Sequence, residues 1–132
     1  VVSPPIDELS GIVVDECVRI HRELGPGLLE SVYETVLFGA LGRRGIPIDR
    51  QQPVEIHYDG LRFPGAFRID LLVDRRLVLE IKSVDSLTNL HAKQLLTYLR
   101  LTGLSVGLLL NFSGETMKQG IRRVVNNHGP AR

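Results

Sequence analysis

The sequence is short of cysteine, of net charge and of long apolar runs, and each shortage narrows what the chain can be. Its single cysteine, Cys17, cannot close an internal disulfide, which excludes a disulfide-stapled secreted scaffold and sets the expectation of a reducing compartment. Sixteen Lys+Arg against fifteen Asp+Glu leave a formal charge of +1. With no strong global field, any affinity for a polyanion must come from a local patch. No apolar run approaches the ~18 residues of a membrane span, and no basic-then-apolar signal segment opens the sequence. A cytoplasmic location is the expectation. Repeats, low-complexity stretches and linkers are absent too.

What is present reads as one α/β domain over residues 1–132, with 43% apolar and 23% charged residues. Ser3-Pro4-Pro5, with Asp7 and Glu8 behind it, introduces a helix. Leu9, Ile12, Val13, Cys17, Ile20 and Leu24 recur at helical spacing and carry it from about residue 6 to 24. Gly25-Pro26-Gly27 breaks it, and a second helix runs over about 29–43. Shorter alternating runs follow, with Asp59-Gly60 as a hairpin signal. Strands are expected over 61–73 and 77–84, a third helix over 87–102, and a doubly covered strand over 105–111. The stretch 115–125 reads equally as strand or short helix.

Chemistry concentrates in the strand pair 61–73 and 77–84. Alternation puts Leu77, Leu79 and Ile81 on one face and Val78, Glu80 and Lys82 on the other. In the preceding strand it groups Phe67, Ile69 and Leu71 against Arg68, Asp70 and Leu72. If Asp74-Arg75-Arg76 is a three-residue turn, Val73 pairs with Leu77 and Asp70 falls opposite Glu80. A two-residue turn would separate the two carboxylates. Opposed like charges cost up to ~1 kcal/mol, and a hard divalent cation with oxygen ligands relieves them. Alone, a Glu-x-Lys in a strand is more often part of a solvated sheet face.

The helices add polar groups on apolar sides. On the third helix, Leu87, Leu90, Leu95 and Leu101 define an inward face with His91, Gln94 and Tyr98 in its middle, while Asn89, Lys93 and Arg100 point away. Buried without partners, such groups cost about 1–3 kcal/mol each, so they must be bonded or line a cleft. Glu30 sits one turn from Tyr33 and two from Leu37 on a mostly apolar side. It reads equally well as an acid complementing the helix dipole.

These residues together resemble a known family. The run Leu24-Gly25-Pro26-Gly27-Leu28-Leu29-Glu30-Ser31-Val32-Tyr33-Glu34 is similar to the signature of the GxxExxY proteins, within the PD-(D/E)xK nuclease superfamily. The resemblance continues through Gln52-Pro53, Asp70 to Val73, Glu80-Ile81-Lys82, His91, Gln94 to Tyr98 and Gly107 to Phe112. It implies a restriction-endonuclease-like α/β fold, a central mixed sheet flanked by helices. It assigns Glu30 to the helical acidic position, Asp70 to the aspartate, Glu80 and Lys82 to the Glu-x-Lys pair, and Gln94 and Tyr98 to a Gln-x-x-x-Tyr helix. Ile69 stands where that motif often has proline.

The chemistry this implies is metal-assisted phosphodiester hydrolysis of nucleic acid, DNA before RNA. Asp70, Glu80 and Glu30 would hold Mg²⁺ or Mn²⁺ with the Ile81 carbonyl. Lys82 would orient or help deprotonate the attacking water, and Gln94 and Tyr98 would position the phosphate. Arg43, Arg44, Arg50, Lys93, Arg100, Lys118, Arg122 and Arg123 supply backbone contacts only where several cluster. A homodimer would set two sites on two strands, and a domain this small leaves room for a protein partner in specificity. The alternative is a non-catalytic module that binds nucleic acid or protein on the same fold. His21, His57, His91 and His128 show no ligand spacing, which speaks against an imidazole-bound metal.

Overall fold

A computed structural model describes residues 3–127, so His128 lies outside the described residues. Helix α1 covers Ile6–Leu24 and α2 covers Glu30–Arg43. Strands β1 (Ile48–Tyr58), β2 (Leu61–Val73) and β3 (Leu77–Lys82) follow. Helix α3 (Asn89–Thr102) leads to β4 (Val106–Asn111), a 3₁₀ turn at Lys118–Gly120 and β5 (Ile121–Val125). The ambiguous stretch is thus both, a short helical turn followed by an edge strand. Among the described residues no helix is long and apolar enough to cross a membrane.

The strands form one mixed sheet in the order β1-β2-β3-β4-β5, with β3 and β4 parallel and the other neighbours antiparallel. Helices cover both faces, as the resemblance implied. Leu9, Val13, Cys17 and Ile20 of α1 and Tyr33, Leu37 and Leu41 of α2 pack on Leu71, Val73, Leu77, Leu79 and Ile81. On the other face Leu95 and Leu99 of α3 pack on Ile69, Val78, Leu109 and Val124. Strand β4 is buried along its whole length, which explains its unbroken apolar run. Cys17 is fully buried, and burial pushes its thiol well above the ordinary range, so it is chemically quiet.

Two sequence expectations need correction. Helix α3 does not turn Leu90 and Leu101 inward; they are 73% and 46% exposed. The buried stripe is Leu95 and Leu99, flanked by Ala92 and Leu96. That rotates His91, Gln94 and Tyr98 from the middle of the inward face to one flank. The helix starts at Asn89 with Thr88 as N-cap. The His91 N–H donates to Thr88 Oγ1, and the Thr88 N–H donates back to His91 Nδ1 at 3.0 Å. His91 is therefore satisfied as a cap.

The second correction concerns strand facing. Phe67 and Ile69 pack on the α3 side, whereas Leu71 packs on the α1–α2 side, so strict alternation fails between them. Strand β1 switches at the same height, with Ile48 on one core and Val54 on the other. Gln51 and Asp70 both drop out of the ladder between the pairs Arg50–Leu71 and Gln52–Ile69. Gln51 has φ +52°, a left-handed conformation that a non-glycine residue adopts only where its surroundings hold it there.

The loop ahead of α2 is pinned by a tyrosine. Tyr33, fully buried and stacked on Phe112 at 4.4 Å, donates its hydroxyl to the Gly25 carbonyl at 2.6 Å. The same oxygen accepts the Leu28 N–H at 3.1 Å. Gly25 and Gly27, at φ +77° and +99°, let the chain turn tightly enough to be held this way. Replacing Tyr33 by Phe keeps the stacking and strands two backbone groups. We expect a loss of about 1–3 kcal/mol in urea unfolding with an unchanged m-value; an unchanged midpoint would show that the clamp contributes nothing.

Candidate active site

The turn Asp74-Arg75-Arg76 has three residues, and the β2–β3 ladder reads Val73–Leu77, Leu72–Val78 and Leu71–Leu79. The next step would set Asp70 against Glu80, and there the ladder stops. Asp70 Oδ2 accepts the Ile81 N–H at 2.8 Å, so a side chain takes the place of a strand carbonyl. The two strands part around a carboxylate.

Glu80 lies beside it on the α3 face and is 7% exposed. Its Oε1 is buried without a hydrogen-bond partner. Burial and then the Asp70 carboxylate push the Glu80 carboxyl up to about 8, against the opposing pull of Lys82 and the Asp70 N–H. Asp70 is raised as well, first by burial; the Ile81 N–H lowers it, Glu34 raises it, and Gln51 and Lys82 lower it. Tyr98 feels both acids: burial, then Glu80 and Asp70, raise its phenol. The Tyr98 ring stacks on Phe67 at 4.1 Å, which fixes it on this flank of α3.

The structure therefore brings Asp70, Glu80, Lys82 and Tyr98 together. Gln94 lies one turn before Tyr98 on the same flank, exposed and without a side-chain hydrogen bond to any described residue. Glu30 is placed differently from expectation. It is exposed at the first position of α2, and its Oε2 accepts the Ser83 N–H at 2.9 Å, while Ser83 Oγ donates to the Leu28 carbonyl at 3.0 Å. Among the described residues no group of three His, Cys, Asp or Glu is placed to hold a metal ion. The expected convergence of Glu30 with Asp70 and Glu80 is not found, because Glu30 is spent on the segment just after Lys82.

The acid that does approach Asp70 is Glu34, one turn further along α2 and buried. Its Oε2 accepts Arg50 Nε at 2.7 Å and its Oε1 accepts Gln51 Nε2 at 2.7 Å. The same Gln51 amide donates to Asp70 Oδ1 at 3.3 Å. The backbone kink at Gln51 thus delivers a donor between two carboxylates. Neither residue was singled out from the sequence. Glu34 carried a signal, an acid one turn after Glu30 on the side of Leu37; the left-handed Gln51 carried none.

A hard divalent cation fits the donors present. They are oxygens, two are paired carboxylates, and one buried carboxylate oxygen has no partner. Magnesium in particular takes one or two carboxylates and completes its shell with water and phosphate oxygens.

The raised carboxyls predict how the metal-free protein responds to pH. A carboxyl with a folded-state pKa of about 8 against an ordinary 4.5 binds a proton on folding between those values. Its contribution is complete below about 4.5 and is lost as pH rises towards 8, on the order of 5 kcal/mol in all. Thermal unfolding in chelator should show this decline, and Glu80→Gln should flatten it. A wild-type curve that is level or rising across this window relative to Glu80→Gln would refute the assignment.

A sequence-family model described as the PD-(D/E)XK nuclease superfamily matches residues 7–124. No curated protein and no solved structure matches the chain.

Proposed function

Because the chain belongs to the PD-(D/E)XK nuclease superfamily, we propose that it is a metal-dependent nuclease cutting phosphodiester bonds, with DNA as substrate, and that its motif places it among the GxxExxY proteins. The observation that carries this reading is the half-buried Asp70 beside the buried Glu80, with one Glu80 oxygen unpartnered and Lys82 on the same strand face. A module that only binds has no use for two desolvated acids that repel each other.

Asp70, Glu80 and the Ile81 carbonyl would hold Mg²⁺ or Mn²⁺. When bound, the ion polarises the phosphoryl oxygen and lowers the pKa of its water. Lys82, a cation beside both carboxylates, would orient the attacking water by donating from the same strand face, and the water's proton would leave to solvent. Tyr98, on the α3 flank above the acids, donates its phenol O–H to a non-bridging phosphate oxygen, and exposed Gln94 donates from the same flank. The Ile81 N–H and the Gln51 amide keep the Asp70 carboxylate facing β3. Glu30 works one residue beyond Lys82, where its bond to Ser83 fixes the end of the strand.

Incubation with single-stranded, duplex and flapped DNA and with RNA, with Mg²⁺ or Mn²⁺ and with chelator, tests the proposal. Asp70→Asn should abolish cleavage and Lys82→Ala should reduce it by ~10²–10⁴-fold. Glu34→Gln should raise the metal concentration needed for half-maximal rate more than Glu30→Gln does. Metal-independent binding without any cleavage would favour the non-catalytic module instead.

A further inference from the structure

On the flank of α3 away from Tyr98, the helix and the edge strand β5 enclose a cleft of about 360 Å³. Asn89, Lys93, Arg122 and Arg123 line it, over Ala92 and Leu96. Among the described residues, Arg123 alone of its three cations is in an ion pair, with Asp7 at 2.8 Å. Arg122 reaches only the Asn89 side-chain oxygen, at 3.4 and 3.5 Å, beyond good hydrogen-bond length. Lys93 is exposed, and its ammonium has no hydrogen bond or ion pair to any described residue. Besides Asp7, the acid on this side is Asp85, which lines an adjoining cleft that shares Arg122. Of the other basic residues singled out in the sequence, Arg44 is spent on Glu16 and Arg50 on Glu34.

The cleft lies level with the carboxylates. Arg122 pairs with Leu109 across β4, and Leu109 pairs with Glu80 across β3. Val78, Leu109 and Val124 all pack against α3, so Glu80 and Arg122, each two residues from one of them, project on that same side. Their backbones are two strand spacings apart, roughly 10 Å. Helix α3 separates them, with its Tyr98 flank over the acids and its Lys93 flank over the cleft.

We propose that this cleft is a phosphate-binding subsite, in which Lys93 and Arg122 hold a second phosphate of the nucleic-acid strand that is cut at Asp70 and Glu80. The inference rests on the nuclease reading for the identity of the strand. The Arg122 guanidinium, without a carboxylate partner among the described residues, presents the planar donor pair that matches a phosphate, and the Lys93 ammonium adds a second positive charge. The subsite supplies the local basic patch that a chain of +1 formal charge needs.

Binding without cleavage tests it. Fluorescence anisotropy with labelled single-stranded and duplex oligonucleotides is followed in Mg²⁺ on the Asp70→Asn protein, at several salt concentrations. Adding Lys93→Ala and Arg122→Ala should weaken binding about 10–100-fold and lower the slope of log K against log salt by about 1.5, the signature of two lost phosphate contacts. Adding Arg75→Glu instead removes the same net charge at the far end of β3 and should change affinity less than threefold. Melting curves confirm that each variant is folded. Equal weakening by the two sets, or an unchanged slope, would overturn the subsite, and continued cleavage by the unmodified chain would then leave the nuclease reading standing. A chain that neither cuts nor, as Asp70→Asn, binds any of these nucleic acids would overturn both.

Discussion

Two carboxylates held out of water where β2 and β3 part are the constraint on which the rest of the molecule turns. Burial destabilises both acids, Glu34 adds to the burden on Asp70 and Asp70 to that on Glu80, which rises to about 8. Such an arrangement persists only because the surrounding structure leaves no cheaper alternative. Asp70 is fixed by an N–H of the neighbouring strand, at the point where a regular sheet would have used a carbonyl. Lys82 offsets part of the repulsion from the same strand face. The unpartnered Glu80 oxygen is the residue of strain that nothing in the chain relieves.

The scaffold acts on this point from both sides. Below the sheet, α2 supplies Glu34 and, through the Tyr33 clamp, fixes the loop that delivers Glu30 to Ser83. Above it, α3 stacks Tyr98 on Phe67 and so holds a phenol near the acids. Strand β1 contributes through a single backbone distortion. Gln51 at positive φ costs on the order of 1–3 kcal/mol, and in return its amide bridges Glu34 and Asp70. Stability has been given up at the position where chemistry is proposed, which is where such strain is usually found.

The same distortion marks the limit of what the sequence discloses. Element order follows from turn chemistry and alternation, which act locally, and so does the grouping of Val78 with Glu80 and Lys82. The sequence leaves the turn after Val73 at two or three residues, and the structure has three, pairing Val73 with Leu77. The phase of α3 is not legible in the sequence, because leucines lie on two sides of the helix and packing on the sheet selects Leu95 and Leu99 over Leu90 and Leu101. The facing of Ile69 was misread because alternation assumes a regular strand, and the switch at Gln51 and Asp70 is a pairwise event between strands. Glu30 was assigned to the ion by its motif, whereas three-dimensional placement gives it Ser83 and brings Glu34 to Asp70 instead. Motifs name the residues of a site better than they distribute the roles among them.

The central claim is that Asp70 and Glu80 form a divalent-metal site whose carboxyl must give up a proton to bind the ion. Isothermal titration of Mn²⁺ into the protein near pH 7, repeated in buffers of different ionisation enthalpy, measures both the binding and the protons released. We expect one ion bound with release approaching one proton, and Glu80→Gln should lose that release together with most of the affinity. Binding that releases no proton, or that survives Glu80→Gln unchanged, would contradict the account.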